Sequence, residues 1–247
     1  MKKIFLTLLA VAATLSISAK ETLTSPDGNL VLTFEIGENG APTYSLDYKG
    51  KAVVLPSGMG LELRGQDRQI SFGEEITKSE HGKSVSLYNN FRQTGVTRSD
   101  SDTTWTPVWG EVATIRDNYK QMVVSLEQKE RKYKMDIVFR LYNEGLGFRY
   151  VFPAQTELTY FVIKEEYTEF AMTGDHIAYW IPGCYATQEY QYEASRMSEI
   201  RNCMKSVSEN VGRAQVAIFS PTGVQTSLQL RSDDGLYINL HEAALLD

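Results

Sequence analysis

The chain has 247 residues, with 31 acidic and 25 basic side chains and a formal net charge of −6. This balance argues against a nucleic-acid-binding protein, which would need clustered lysines and arginines. The length suits one large β domain or two small ones. Fourteen tyrosines and three tryptophans suit either ordinary strands or a sugar-binding surface, and composition does not separate the two.

Residues 1–19 have the pattern of a secretory signal peptide. Lys2 and Lys3 precede an apolar run that ends at Ile17, and small residues follow up to Ala19. Because the run is too short to span a bilayer, we expect cleavage near Ala19 rather than a membrane anchor. The sequence therefore predicts an exported protein, periplasmic or otherwise, without membrane contact.

From Thr22 onward, short β-rich runs alternate with turns, which is typical of sandwiches and barrels. Residues 25–29 (SPDGN) predict a turn. Leu30–Ile36 predicts a strand with alternate apolar residues on one face. The clearest hairpin joins residues 132–142 to residues 147–152 through a short turn. We therefore predict an all-β fold of packed antiparallel sheets.

Three stretches depart from this pattern. Residues 99–104 (SDSDTT) are acidic and hydroxylated, but they lack the glycine and distal glutamate of a calcium-binding loop, so a solvated loop is expected. Residues 105–111 (WTPVWGE) cannot form a regular helix because of Pro107. They either cap the sandwich, which we favour, or line a sugar surface. Residues 196–207 have apolar side chains at helical spacing without a strong cap, so a helix and a strand with a loop both remain open.

Residues 180–201 combine aromatic side chains with carboxylates after a Pro-Gly turn. Gln188, Glu189 and Tyr190 are consecutive and all offer polar groups, which suits an oxygen-rich binding loop. The alternative is that the aromatic side chains belong to the core and the acids to the solvated surface. The residues alone favour this second interpretation, because single carboxylates in loops are usually surface groups.

Familiar catalytic signatures are missing from the sequence. It contains no GxSxG, phosphate-binding glycine loop, GxGxxG or HExxH motif. Carboxylates are so abundant that a glycosidase pair could be drawn almost anywhere. The two cysteines, Cys184 and Cys203, fit no metal-ligand spacing. A disulfide between them is possible in an exported protein, but we expect two unbridged or partly buried thiols.

Five stretches taken together resemble the N-terminal domain of glycoside hydrolase family 97. They are SPDGNLVLTF, TWTPVWGE, RLYNEGLGFRYVFP, WIPGCYATQEYQYEASRMSEIR, and the terminal stretch from FSPTGVQT to DGLYINLHEAAL. The resemblance extends from about Thr22 to Asp247. It implies an all-β, galactose-mutarotase-like β-super-sandwich with antiparallel sheets over residues 20–247. In the family this domain packs on a (β/α)8 barrel that carries the catalytic acids, so residues 20–247 are expected to stop before their last strands and before that barrel.

The resemblance implies an exported α-glucosidase-like glycoside hydrolase that acts on starch-derived oligosaccharides. The chain itself would contribute no catalytic residue, because the catalytic acids belong to the barrel. The choice between glucosidase and galactosidase, and between inversion and retention, also depends on barrel residues. A free-standing carbohydrate-binding module is the alternative function that the sequence leaves open.

The resemblance also implies two binding residues. Glu189, in the TQEY stretch, corresponds to the single calcium ligand that this domain contributes. The loop of residues 208–213 corresponds to a polar segment beside the sugar pocket, which makes Asn210 a candidate substrate contact. Cys184 stands where the family has an acid, so no function is assigned to it. Since calcium prefers six to eight oxygen ligands, tight binding by this chain alone is not expected.

Overall fold

The computed structural model describes residues 20–65, 67–72, 75–184, 188–209 and 220–242. These residues form two compact units, divided after Ala171, and fold mainly as antiparallel strands. No helix within the described ranges is long and apolar enough to cross a membrane.

The first unit contains β1 (Glu21–Thr24), β2 (Leu30–Ile36), β3 (Pro42–Tyr48), β4 (Lys51–Gly58), β5 (Leu61–Leu63), β6 (Asp67–Phe72), β7 (Glu75–His81), β8 (Val85–Leu87), β9 (Phe91–Trp105), β10 (Ile115–Gln128), β11 (Lys134–Leu141), β12 (Leu146–Val151) and β13 (Ile163–Glu166).

The second unit is a four-stranded sheet with one short helical segment. Its strands lie in the order β15, β14, β16, β17, and all neighbouring pairs are antiparallel. The elements are β14 (Ile177–Trp180), β15 (Glu193–Arg196), a 3-10 helix (Met197–Glu199), α1 (Ile200–Glu209), β16 (Leu228–Arg231) and β17 (Tyr237–Leu240).

A sandwich forms the core of the first unit. One sheet runs in the order β1, β2, β3, β4 and the other in the order β12, β11, β10, β9. Alternate side chains of β2 and β11 point inward, so Phe34 and Phe139 are both fully buried, with ring centroids 5.8 Å apart. This alternation is what a half-buried strand requires. The predicted all-β sandwich with antiparallel sheets is therefore confirmed, and the predicted strand Leu30–Ile36 has the bounds of β2.

The hairpin of β9 and β10 is longer than the sandwich that it belongs to. Its far half includes residues 99–104, which are strand and not the solvated loop that we expected. Pairing with β10 holds this polar segment extended, and Asp102 accepts two 2.7 Å hydrogen bonds from Arg116. Beyond the strands, Val108 and Trp109 are 100% and 88% exposed. The expectation that this aromatic turn caps the sandwich is therefore wrong.

A smaller sheet in the first unit has the order β13, β5, β8. Gly60 precedes β5 with a φ of +145°, and a Cβ atom there would lie 2.4 Å from the carbonyl oxygen of Leu87. Glycine is required because the backbone conformation is strained for other residues and the neighbouring strand leaves no room. The N–H of Gly60 donates to the hydroxyl of Tyr150 at 3.0 Å. This bond ties the residue that precedes β5 to β12.

The core of the second unit is built around Trp180. This side chain is fully buried, and its indole N–H donates to the hydroxyl of Ser195 at 3.0 Å. Met204 and Val207 of α1 pack in the same cluster, which confirms the helical interpretation of residues 196–207. The helix continues to Glu209, so residues 208 and 209 of the predicted polar loop are helical, and residues 210–213 lie outside the described residues.

Candidate functional site

The loop between β14 and β15 carries the predicted metal ligand. Its first half is held by the segment that leads to β16. The N–H of Gly183 donates to the carbonyl oxygen of Gly223 at 2.7 Å, and the side chain of Gln225 donates to the carbonyl oxygen of Pro182 at 3.1 Å. An isolated antiparallel bridge joins Pro182 to Val224. The loop therefore starts from a fixed backbone.

The second half of the loop is anchored by one aromatic side chain. Tyr190 is buried, and desolvation together with the nearby Cys184 raises the pKa of its phenol. Gln188 and Glu189 are exposed, and so is Tyr192. Burying Tyr190 while its two predecessors face solvent presents the Glu189 carboxylate outward from an anchored backbone.

The aromatic stretch agrees in part with the interpretation that places its aromatic side chains in the core and its acids at the surface. Trp180 and Tyr190 belong to the interior, as the surface-and-core interpretation expects, whereas Tyr192 is exposed. Tyr185 and Thr187 lie outside the described residues. No disulfide joins Cys184 and Cys203, and both thiols are half-buried, as predicted.

An exposed carboxylate fits one ligand of a calcium ion, since calcium binds oxygen and carboxylates most of all. The described part of the chain contains no group of three or more His, Cys, Asp or Glu side chains that could hold a metal. Asn210, the candidate substrate contact, lies outside the described residues.

The histidines offer no alternative site in the described part of the chain. His176 is buried and lies 3.3 Å from the hydroxyl of Thr173, which fits a packed, hydrogen-bonded histidine. His241 is exposed. These two residues show the behaviour that is usual for isolated histidines in strand-rich proteins.

Sequence reasoning missed a cavity in the first unit. It has a volume of about 390 Å³ and is lined by Ala41, Pro42, Gly58, Met59, Tyr88 and Tyr167. The rings of Tyr88 and Tyr167 meet edge to face with centroids 5.1 Å apart. The two tyrosines are distant in the sequence and belong to no motif. Only the pairing of β5 with both β8 and β13 brings them together.

A charged cluster adjoins this cavity. The carboxylate of Glu62 accepts hydrogen bonds from the ammonium group of Lys164 at 3.0 Å and from the hydroxyl of Tyr167 at 2.8 Å. The hydrogen bond from Lys164 is the largest cause of a lowered pKa of Glu62, and the bond from Tyr167 adds to it. The Glu62 carboxylate in turn raises the pKa of Tyr167. Glu62 is therefore an ionised hydrogen-bond acceptor at neutral pH.

Comparisons with known proteins agree with the sequence resemblance. Residues 23–247 match the family model described as Glycosyl-hydrolase 97 N-terminal. A curated retaining alpha-galactosidase from Bacteroides thetaiotaomicron is 24% identical over an alignment that covers 99% of this chain and 34% of that protein.

Solved structures show the same relationship. A glycoside hydrolase family 97 enzyme from Pseudoalteromonas sp. strain K8, in complex with panose or with acarbose, has a TM-score of 0.69 and 26% identity. The match covers 92% of this chain and 29% of that enzyme. A beta-arabinopyranosidase at 21% identity and a TM-score of 0.67, matched over 91% of this chain and 32% of its own, shares the fold. The chain thus spans about a third of the length of these relatives. It belongs to glycoside hydrolase family 97, as an N-terminal domain of a glycoside hydrolase.

Proposed function

We propose that this chain is the non-catalytic N-terminal part of an exported α-glucosidase-like enzyme that acts on starch-derived oligosaccharides. The match of residues 23–247 to the family's N-terminal model carries this proposal, because it covers nearly the whole chain. The chain in turn spans only about a third of the length of its relatives. The catalytic acids would then belong to a (β/α)8 barrel in the same polypeptide. Structures with panose and acarbose support an oligosaccharide substrate, whereas the curated relative is an alpha-galactosidase.

Glu189 would supply one carboxylate ligand to a calcium ion shared with the catalytic domain. This role is supported by the family resemblance of the TQEY stretch. It is also supported by the exposure of the Glu189 side chain beside the buried Tyr190. Calcium bound there would couple the two domains, since an ion that binds only their joint site stabilises the assembled state. Asn210 would contact the sugar, as the family resemblance implies.

The substitution Glu189→Gln in the full-length polypeptide tests this role. It removes the charge and keeps the size of the side chain. We expect the calcium concentration for half-maximal hydrolysis of nitrophenyl α-glucoside to rise at least about tenfold, equivalent to about 1.4 kcal/mol. Glu199→Gln is the matched control, because Glu199 is an exposed glutamate of the same unit outside the loop. Unchanged calcium dependence in Glu189→Gln would show that the assignment is wrong.

The same experiment addresses the substrate. Activity is measured with nitrophenyl α-glucoside and with nitrophenyl α-galactoside, and preference for the galactoside would overturn the α-glucosidase part of the proposal. Residues 20–247 alone should release no nitrophenol from either compound, because glycosidases of the usual kind need two positioned carboxyl groups and the family's pair belongs to the barrel.

A free-standing carbohydrate-binding module remains the second candidate, and the cavity lined by Tyr88 and Tyr167 is the observation that favours it. The gene sequence beyond codon 247 separates the two functions. A barrel-coding region supports the enzyme, and a stop codon together with measurable sugar affinity supports the module.

A further inference from the structure

We propose that the first unit carries a non-catalytic oligosaccharide-binding site at the ends of β8 and β13, where Tyr88 and Tyr167 line a cavity. The inference rests on the proposed function for its ligand class, an α-1,4-linked glucose oligosaccharide. It uses residues between Ala41 and Tyr167, none of which belongs to the Glu189 loop. Two cavities and the charged cluster between them carry the argument.

The first cavity offers an apolar floor and aromatic walls. Met59 is buried beneath it, and Pro42 completes the floor. Tyr88 and Tyr167 are 38% and 46% exposed, so both rings keep surface that a ligand can cover. A pyranose ring has an apolar C–H face and a hydroxylated rim, and it matches walls that combine ring surface with phenolic hydroxyls. The volume of about 390 Å³ lies in the range of small-molecule sites.

The charged cluster supplies the polar contacts that a sugar needs. The Glu62 side chain is 16% exposed and accepts hydrogen bonds, while the Lys164 side chain is 52% exposed. An ammonium group has three N–H donors. It therefore retains donor capacity for a ligand while it binds Glu62. The Glu62 carboxylate can accept a hydrogen bond from one hydroxyl group of a sugar, and the Lys164 ammonium group can donate to a neighbouring hydroxyl group.

A second cavity continues on the other side of the cluster. Its volume is about 530 Å³, and its lining includes Arg64, Ser84, Val162 and Lys164. Lys164 lines this cavity and also contacts Glu62, whose other partner, Tyr167, lines the first cavity. The two cavities therefore flank one hydrogen-bonded cluster, which favours a ligand of more than one ring.

The lining and the rigidity of the first cavity narrow the class of ligand. Its apolar floor disfavours small ions, which need polar ligands. The floor is also fixed in advance. Gly60 is confined by the backbone of Leu87 and by its bond to Tyr150, while the N–H of Tyr167 donates to the carbonyl oxygen of Gly60 at 2.8 Å. A preformed site loses little free energy to ordering when it binds.

Isothermal titration of this chain with maltopentaose tests the site. We expect saturable binding that weakens at least about tenfold in Tyr88→Ala and in Tyr167→Ala, the loss of about 1.4 kcal/mol. Tyr237→Ala is the matched control, because Tyr237 is an exposed tyrosine of the second unit, and its affinity should equal that of the unsubstituted chain. Cellopentaose and a galacto-oligosaccharide are titrated in parallel, and stronger binding of either would overturn the ligand assignment.

Two further measurements keep the test decisive. If an alanine variant unfolds, Tyr167→Phe removes only the hydroxyl that contacts Glu62, and Glu62→Gln removes only the charge, so each should weaken binding in a folded chain. Titrations with and without calcium, and with Glu189→Gln, should give one affinity, which separates this site from the calcium proposal. No saturable binding by the unsubstituted chain, or equal affinity in all tyrosine variants, would overturn the inference.

Discussion

The carboxylate of Asp175 accepts two hydrogen bonds from Ser198, one from the backbone N–H at 2.9 Å and one from the hydroxyl at 2.8 Å. Ser198 is the second residue of the 3-10 helix that leads into α1. Arg196, at the N-cap position, makes no side-chain capping bond. Asp175, which precedes β14 in the sequence, therefore binds a backbone N–H group at the start of the helical segment. In most helices a side chain at the N-cap position itself fills this role.

Asp175→Asn should reduce the stability of the chain at pH 7. The hydrogen bonds from Ser198 lower the pKa of Asp175, so the stabilisation is present above the ordinary aspartate pKa and is lost as the pH falls through the lowered value. Urea unfolding at pH 7 and at about pH 3 should show that the difference in stability between the two proteins is smaller in acid. Asp100→Asn, at an exposed aspartate of β9, is the control. An equal gap at both pH values would contradict the charge-dependent cap.

Ser195→Ala should destabilise the second unit by about 1–3 kcal/mol, because it leaves the buried indole N–H of Trp180 without its acceptor. Ser195→Ala should cost less in a Trp180→Phe background, since the unpaired donor is then absent and only the hydrogen bond from Ser195 to the carbonyl oxygen of Arg196 is lost. Chemical unfolding of the four proteins gives the coupling between the two residues. Additive losses would mean that the hydrogen bond contributes nothing.

Tryptophan fluorescence should separate the interior from the hairpin turn. The chain has three tryptophans, of which Trp180 is buried while Trp105 and Trp109 are exposed. Acrylamide should quench the unsubstituted chain strongly. The double variant Trp105→Phe and Trp109→Phe should retain a blue-shifted emission that acrylamide hardly quenches. Strong quenching of this remaining emission would show that Trp180 is not enclosed.

Tyr150→Phe should lower stability at neutral pH by about 1 kcal/mol, because the hydroxyl accepts from the N–H of Gly60 and shares a bond with Thr168. Burial raises the pKa of Tyr150 to about 12. An unfolded tyrosine loses its proton near pH 10, so the unsubstituted chain loses stability as the pH rises from 10 to 12 and the variant is spared that loss.

The gap between the two proteins should therefore narrow in alkali, as followed by unfolding at several pH values. Tyr160→Phe, at an exposed tyrosine, should match the unsubstituted chain throughout. A gap that widens with pH would contradict the buried, neutral phenol.

Strands whose side chains alternate between the core and the solvent can be predicted from the sequence. The strand Leu30–Ile36 and the inward face of β11 are examples, because burial on one face leaves a period of two in the residues. Residues 99–104 have no buried face, so no periodicity reveals that strand, and only pairing with β10 creates it. The Tyr88 and Tyr167 cavity is invisible for a related reason, since it arises from strand pairing across a long stretch of chain.

The unequal burial along the β9 and β10 hairpin has a consequence for local opening. From Met122 toward Gln128, alternate residues of β10 are buried in the sandwich, whereas toward the turn both strands lack buried residues. Hydrogen bonds in the outer half therefore have no buried side chains around them, whereas those in the inner half are also covered by the core. The outer strands can part while the sandwich stays closed, so amide hydrogens near Trp105 should exchange by small fluctuations and those near Met122 only on global unfolding.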